Sequence, residues 1–155
     1  MPVSMILVST DFSEYAQAAF ETAYDLSVQL GAKLHVLHVQ DESNLRVAVR
    51  EGLLDERQTD EDLCKALEGL TAERFATLLA KVDRSKVAVE SLSRRGDSGK
   101  VIVDYAREIN ADMIVIGRRG AGVVRDLLAA VVGSVAESVI RKSSCPVLLV
   151  RRDPK

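Results

Sequence analysis

The sequence predicts an α/β protein built on a doubly wound sheet of five parallel strands in the order 3-2-1-4-5. Five short runs rich in Val, Ile and Leu alternate with longer stretches that have the apolar spacing of helices, which is the pattern of parallel βαβ units. The runs around 113–116 and 147–150 show no polar alternation, as expected for strands covered by helices on both faces. Right-handed crossovers then give this order most simply, with the chain reversing between strands one and four.

The first helix has the clearest boundary signals. It is predicted over Ser13–Leu30, with Ser13 as the N-cap and Gly31 as the C-terminal stop. The strands are predicted at Met5–Ser9, Lys33–Val39, Lys86–Leu92, Asp112–Ile116 and Pro146–Arg151.

Three further helices separate the later strands. The second is predicted over Asp60–Lys81, although Gly69 within it costs about 1 kcal/mol relative to Ala. The third follows Gly96–Ser98, and the fourth begins at Gly133-Ser134 and runs through Ile140. The residues that the third helix is expected to bury are Val101, Ile102, Tyr105, Ala106 and Ile109.

Length and composition limit the functional classes. At 155 residues the chain can bury one substantial core, so residues 1–155 are expected to form one domain, with Gln40–Thr59 as a long connection. The formal charge of −2 combines 21 basic with 23 acidic side chains, so we expect no nucleic-acid-binding or anionic-lipid-binding surface. The first apolar stretch, Met5–Val8, is too short for a membrane-spanning or secretory segment. We therefore expect a cytoplasmic protein that makes no membrane contact.

The reversal between strands one and four is the expected ligand site, because ligands bind at the carboxyl ends of strands flanking such a point. Two connections open there. One starts at Thr10-Asp11, where a carboxylate could accept from ribose hydroxyls or cap the helix beside Ser13. The other contains Gly117, Gly120 and Gly122. Its backbone amides could cradle a phosphate, or the glycines could form an ordinary turn.

Four stretches of the chain, at Ile6–Ser13, Ala111–Gly120, Gly133–Ile140 and Ser144–Val150, together resemble the universal stress protein family of the UspA type. Ile6–Ser13, with the sequence ILVSTDFS, is similar to that family's opening strand and its terminal aspartate. Ala111–Gly120, ADMIVIGRRG, is similar to its fourth strand and glycine turn. Gly133–Ile140 and Ser144–Val150 are similar to its closing helix and strand. The resemblance implies the Rossmann-like fold of adenine-nucleotide alpha-hydrolases.

Nucleotide-binding members of that family carry G-x-x-G, nine residues, then G-[S/T], and hold ATP on this turn. Carried over, the resemblance implies adenine and ribose contacts from Asp11 and the Val39 backbone, with Mg²⁺ beside the phosphates. It implies phosphate contacts from Gly117, Gly120, Gly133 and Ser134. The neighbouring residues Thr10, Arg118, Gly122 and Val135 complete the candidate nucleotide-binding set.

The spacing of the glycine motif departs from that pattern. Ala121 through Val132, twelve residues, separate Gly120 from Gly133. One interpretation is a continuous helix from about Val123 to Ile140 that would remove the free helix N-terminus. The other, which we favour, is a longer loop or a short extra helix that leaves the phosphate cradle intact.

Other side chains in the sequence do not indicate a second kind of site. Arg118, Arg119 and Arg125 could each reach a phosphate or remain solvated at the surface. His35 and His38 are three apart on a predicted strand, so they leave opposite faces and cannot form one metal chelate. Cys64 and Cys145 are interpreted as reduced, structural residues.

Two hypotheses for function lead from these residues, and a third has less support. The first is an ATP-binding regulatory protein of the stress response, with at most slow ATP hydrolysis and no assignable catalytic residue. The second is a nucleotide-free interaction module. The third is an ATPase or nucleotidyl-transferring enzyme. In either of the first two we expect a homodimer through the edge strand Val147–Val150, since an uncovered apolar edge pairs readily and the family commonly pairs there. The alternative is an edge that Arg151, Arg152 and the tail shield.

Overall fold

A computed structural model describes residues 2–41, 49–52, 57, 60–118 and 132–152. The strands are β1 (Met5–Ser9), β2 (Lys33–Gln40), β3 (Val89–Arg95), β4 (Met113–Gly117) and β5 (Val147–Val150). The helices are α1 (Glu14–Leu30), α2 (Asp60–Leu79), α3 (Ser98–Glu108) and α4 (Ser134–Lys142).

The strands form one sheet in the order β3-β2-β1-β4-β5, and every pairing between neighbours is parallel. This confirms the predicted order. The central strand β1 pairs on both sides, so that Val8 lies opposite Val36 on β2 and Val115 on β4. The reversal between β1 and β4 therefore lies at the centre of the sheet, where the two adjoining connections leave in opposite directions.

Helices cover both faces of the sheet. Ile6 and Val8 belong to one core cluster, together with Phe20 of α1 and Phe75 of α2. Leu7 belongs to the other cluster, which includes residues of α3 and α4. Ile6, Leu7 and Val8 are completely buried, which explains why this strand shows no polar alternation.

Local signals place the ends of α1 correctly. The Ser13 hydroxyl accepts from the Ala16 amide at 3.2 Å, as an N-cap does. Gly31 closes the helix in the left-handed conformation, with φ of 66°, and its amide donates to the Ser27 carbonyl. Asp97 caps α3 in the same way as Ser13, by accepting from the Lys100 amide at 2.9 Å.

The predicted position of the third strand, Lys86–Leu92, is wrong by three residues at each end. The strand spans Val89–Arg95, and the ladder to β2 begins where the Leu34 amide donates to the Ala88 carbonyl. Because β3 is an edge strand with its outer side exposed, it continues through polar residues after the apolar run ends at Leu92. The second strand runs one residue further than predicted, to Gln40.

A carboxylate joins the two central strands at their amino ends. Asp112 Oδ2 accepts from the Ser4 amide at 2.8 Å, the Ser4 hydroxyl at 3.0 Å and the Met5 amide at 3.0 Å. These hydrogen bonds stabilise the ionised form and lower the pKa of Asp112. The chain therefore has an electrostatic link between β1 and β4 at the edge opposite the expected ligand site.

Among the helices that the structure describes, none is both long enough and apolar enough to cross a membrane. Most of the predicted connection Gln40–Thr59 lies outside the described residues.

Candidate functional site

The candidate site lies at the carboxyl edge of the sheet, where β1, β2 and β4 end. Thr10 follows β1 and is buried, and its amide donates to the Leu37 carbonyl of β2 at 2.9 Å. Gly117 ends β4 and is buried as well. The adjoining β1–α1 turn and the β4 exit are the two connections that the sequence singled out.

The β1–α1 turn is organised by its own side chains. The Thr10 hydroxyl accepts from the Phe12 amide at 3.0 Å, and Asp11 Oδ1 accepts from the Ser13 amide at 2.9 Å. Phe12 has φ of 63°, a left-handed conformation that is strained for a residue with a side chain. Ser13 is the N-cap of α1, and the half-buried Asp11 holds the turn that precedes it.

His38 is packed beneath this turn. Its Nδ1 lies 2.9 Å from the Thr10 carbonyl oxygen, and its ring centroid lies 4.8 Å from that of Phe12. The Phe12 ring also meets Phe75 of α2 edge to face at 5.0 Å. Burial lowers the pKa of His38, and the hydrogen bond to the Thr10 carbonyl opposes this shift without cancelling it. The imidazole is therefore neutral at pH 7.

The end of β2 contributes the backbone of Val39 and the carboxylate of Asp41 to the candidate site. The Val39 side chain is buried in the core on the α3 and α4 side, so only its backbone can reach a ligand at the sheet edge. Asp41 follows the strand and accepts from the Ser98 hydroxyl at 2.8 Å. The Gln40 carbonyl accepts from the Gly96 amide at 3.0 Å, which closes the β3–α3 turn against β2.

The β4 exit and the start of α4 are joined directly. The Arg118 amide donates to the Val150 carbonyl of β5 at 2.9 Å. The Arg118 carbonyl accepts from the Gly133 amide at 2.7 Å. The chain thus returns beside the end of β4 after residues 119–132. Gly120, Gly122, Arg119 and Arg125 lie outside the described residues.

Gly133 is the N-cap of α4, with extended dihedral angles of φ −61° and ψ 156°. A continuous helix through this glycine, one of the two interpretations of the long spacing, is therefore wrong. The amides of Ser134, Val135 and Ala136 have no carbonyl four residues earlier within the helix, and a glycine has no side chain to cap them. Ser134 and Val135 are exposed. This helix start can receive an anion.

A close approach between α3 and α4 fixes the direction of α4. A Cβ atom added to Gly99 would lie 2.7 Å from the Ser138 Cβ and would also overlap the Ser138 hydroxyl. Only glycine lets the two helix backbones come this near. The first turn of α3 therefore helps to orient α4, whose first amides have no side-chain cap.

The remaining candidate side chains lie apart from this edge. His35 Nδ1 is 2.8 Å from the Tyr105 hydroxyl, on the opposite face of the sheet from His38, as predicted. Cys145 is half-buried and not bonded to another sulfur, and its thiol lies 3.5 Å from the Ser143 hydroxyl. Within the described part of the chain, no three His, Cys, Asp or Glu side chains come together as a metal site would need.

Three side chains that shape the site have no role in it that the sequence predicts. They are His38, Phe12 and Arg74 of α2, whose guanidinium lies 6.0 Å from the centroid of the Phe12 ring. An aromatic residue directly after Asp11, in a turn that must bend sharply, was the available signal for Phe12. No local pattern points to Arg74, because it reaches the turn only through the packing of α2.

Comparison with known families identifies one match over nearly the whole chain. The model described as "Universal stress protein family" matches residues 3–151. The universal stress protein YxiE of Bacillus subtilis is 29% identical over 153 residues, covering 94% of this chain and 97% of the relative. The universal stress protein MJ0531 of Methanocaldococcus jannaschii is 32% identical over 151 residues, covering 97% of this chain and 83% of the relative.

Solved structures share the fold. MJ0577, solved as a test case of structural genomics, superposes with a TM-score of 0.81 at 26% identity, with 100% of both chains covered. UspA from Lactobacillus plantarum gives a TM-score of 0.71 at 25% identity, covering 97% of this chain and 99% of that chain. A universal stress protein from Archaeoglobus fulgidus, solved in complex with dAMP, gives a TM-score of 0.63 at 24% identity. The match covers 96% of this chain and 98% of that chain.

Proposed function

This chain belongs to the universal stress protein family, and on that premise we propose that it binds ATP with Mg²⁺ and acts as a nucleotide-dependent regulatory protein. The binding site is the crevice between the ends of β1 and β4. The protein would respond to a nucleotide by changing its shape or its partners. Catalysis of a metabolic reaction is not part of the proposal, because no described residue stands out as a nucleophile with a paired base.

The start of α4 is the observation that carries this proposal. A helix N-terminus combines amides that lack partners with the positive end of the helix dipole, which suits a phosphate. In this chain the cap is Gly133, which adds no competing side-chain oxygen. The hydrogen bond from its amide to the Arg118 carbonyl keeps the helix start beside the switch point, where nucleotides bind in sheets of this class.

Each part of the nucleotide has candidate partners. Phosphates would contact Gly117, Gly133, Ser134 and Val135, and Gly120 is added on the resemblance. Gly122 and Arg118 are added because a glycine amide and a guanidinium can each donate to a phosphate. Adenine and ribose would contact Thr10, Asp11 and the Val39 backbone. Asp11 uses one oxygen to organise its own turn, which supports a preset orientation for the carboxylate toward a ribose hydroxyl.

Mg²⁺ would be held mainly by the phosphates. In the described ranges no cluster of three acidic, His or Cys side chains is present at this edge, and Mg²⁺ commonly binds through substrate phosphates and water with few protein ligands. This arrangement is compatible with ATP or ADP. Universal stress proteins were solved in complex with cAMP and with dAMP, and these two ligands are therefore included in the test.

A second candidate function is that of a dimeric interaction module, for which the edge strand β5 is the specific observation. Its four residues are all apolar and all half-buried. The carbonyls of Pro146 and Val150 accept from the amides of Ile114 and Arg118. In a parallel ladder the amides and carbonyls of Val147 and Leu149 therefore point away from β4. We propose that a second copy pairs there, with or without nucleotide.

A binding experiment tests the proposed function. The purified protein is denatured and the released small molecules are identified by chromatography, and protein stripped by dialysis is titrated with Mg-ATP, AMP, cAMP, dAMP and adenosine by calorimetry. We expect ATP to bind with a Kd on the order of micromolar. Adenosine should bind at least about tenfold more weakly, because it cannot use the amides of α4. No heat of binding with any of these ligands would overturn the proposal.

A further inference from the structure

We propose that His38 is a positioning residue for the nucleotide site: by donating from Nδ1 to the Thr10 carbonyl, it holds the β1–α1 turn in the conformation that presents Asp11. The inference rests on the proposed nucleotide-binding function and assigns this residue a part in it. His38 need not touch the nucleotide, because its effect passes through the turn.

The hydrogen bond defines which nitrogen carries the proton. A carbonyl oxygen only accepts, so the 2.9 Å contact requires a proton on Nδ1 of His38. In the neutral ring Nε2 is then the acceptor. The Nδ1–H tautomer is thus a property that can be observed, and it distinguishes this histidine from one that merely fills space.

The turn above His38 needs such support. Phe12 lies in the left-handed region, and a strained conformation of this kind persists only when its surroundings hold it. His38 contacts the turn on both sides of Asp11. Its Nδ1 is hydrogen-bonded to the Thr10 carbonyl, and its ring centroid lies 4.8 Å from that of Phe12. Asp11 lies between these two residues in the chain, so its backbone is held on both sides, and its carboxylate accepts from the Ser13 amide.

Charged groups on three neighbouring elements act on the ring. Asp11 in the turn and Asp41 after β2 favour the charged form of His38, while Arg74 of α2 disfavours it. Burial outweighs these effects, since His38 is only 7% exposed, and it lowers the pKa of the ring. The neutral ring keeps its donor at Nδ1 without placing an uncompensated charge among Phe12 and Phe75.

The consequence concerns the sugar. If His38 holds Asp11 toward the ribose, then replacing it should weaken ATP binding and also reduce the preference for ATP over 2′-deoxy-ATP. A general loss of stability would not change that preference. The comparison of the two nucleotides therefore separates a positioning role from a packing role.

The experiment measures Kd for ATP and 2′-deoxy-ATP in wild type, His38→Phe, His38→Asn and Asp11→Asn. Phe preserves the ring but lacks the donor, and the Asn amide can donate from a position near that of Nδ1. We expect His38→Phe to weaken ATP binding by about tenfold and to bring the two Kd values together. We expect the same convergence for Asp11→Asn. His38→Asn should keep the wild-type preference. The double variant Asp11→Asn/His38→Phe should be no worse than Asp11→Asn alone.

Two outcomes would overturn the inference while leaving the nucleotide site in place. One is a His38→Phe protein with a lowered melting temperature but a wild-type preference for ATP. The other, which needs no variant to fold, is a ¹⁵N spectrum of the wild-type imidazole showing the proton on Nε2. Failure of the wild type to bind any adenine nucleotide would overturn the proposed function, and this inference with it.

Discussion

The amide of Gly133 donates to the carbonyl of Arg118 at 2.7 Å, although residues 119–132 lie between them. This contact decides how the unusual spacing of the glycine motif affects the site. Extra residues between two fixed ends add little to the cost of closing a loop, about 0.3 kcal/mol for twelve residues in place of nine. The end of β4 and the start of α4 can therefore remain together despite the longer connection.

Gly133→Asp is expected to stabilise the fold and weaken nucleotide binding. The dihedral angles of Gly133 suit any residue, and an aspartate N-cap accepts from the amides of the first turn, which adds a few tenths of a kcal/mol to the free energy of unfolding relative to the glycine cap. The same carboxylate would occupy and repel the phosphate position, raising the Kd for ATP at least about tenfold. Urea denaturation and calorimetric titration measure the two effects.

Gly69→Asp is the matched control for this change. Gly69 lies on the exposed side of α2, and a Cβ added there meets nothing within 4 Å. The Gly69→Asp substitution introduces the same charge as Gly133→Asp and should leave the affinity for ATP unchanged. Equal Kd values for wild type and Gly133→Asp would contradict the assignment of phosphates to α4.

Gly99→Ala is expected to lower the free energy of unfolding by about 1–3 kcal/mol, because the new methyl group overlaps Ser138 and forces α3 and α4 apart. Ser138→Gly in the same chain should recover part of this loss, since it removes the Cβ that lies 2.7 Å from the added atom. Ser138→Ala keeps that Cβ and should recover much less. Urea denaturation of the single and double variants measures these changes in stability. Equal recovery of stability by Ser138→Gly and Ser138→Ala would contradict an overlap with the Ser138 Cβ.

Asp112→Ala is expected to destabilise the protein near neutral pH and to have little effect in strong acid. The folded-state pKa of Asp112 lies below its unfolded value of about 3.8, so its contribution is present above that pH and is lost as the pH falls through the folded pKa. Urea midpoints for the variant and the wild type should therefore converge as the pH falls through the folded-state pKa of Asp112. Asp25→Ala, on the exposed side of α1, serves as the control. A difference between the two urea midpoints that stays constant from pH 7 to pH 2 would show that the charge of the Asp112 carboxylate does not contribute to stability.

Leu149→Pro is expected to convert a dimer into a monomer while leaving the fold intact. Its amide points away from β4, so proline removes no hydrogen bond of the sheet but blocks pairing along the free edge of β5. Light scattering after gel filtration gives the mass, and circular dichroism reports the fold. Ser93→Pro makes the equivalent change on the opposite edge, at β3, and should leave the mass unchanged. A monomeric wild-type protein would rule out the dimer at the outset.

The sequence was sufficient to predict the strand order and the ends of α1. Both depend on signals that are local or nearly so: apolar runs, the cap at Ser13 and the left-handed glycine at Gly31. The limits of β3 could not be predicted in this way. Periodicity marks burial, and an edge strand can continue through Ser93 and Arg95 without being buried.

The chain alone determined that this protein is a doubly wound α/β member of the universal stress protein family, because the hydrophobic period and the glycine-containing motifs are written in consecutive residues. Only the tertiary structure decided that Gly133 caps α4 beside Arg118, and that His38 lies under the turn containing Asp11. Those contacts join residues far apart in the sequence. These contacts form because the packing of helices on a sheet brings distant segments of the chain together, and no local sequence pattern predicts which segments will be in contact.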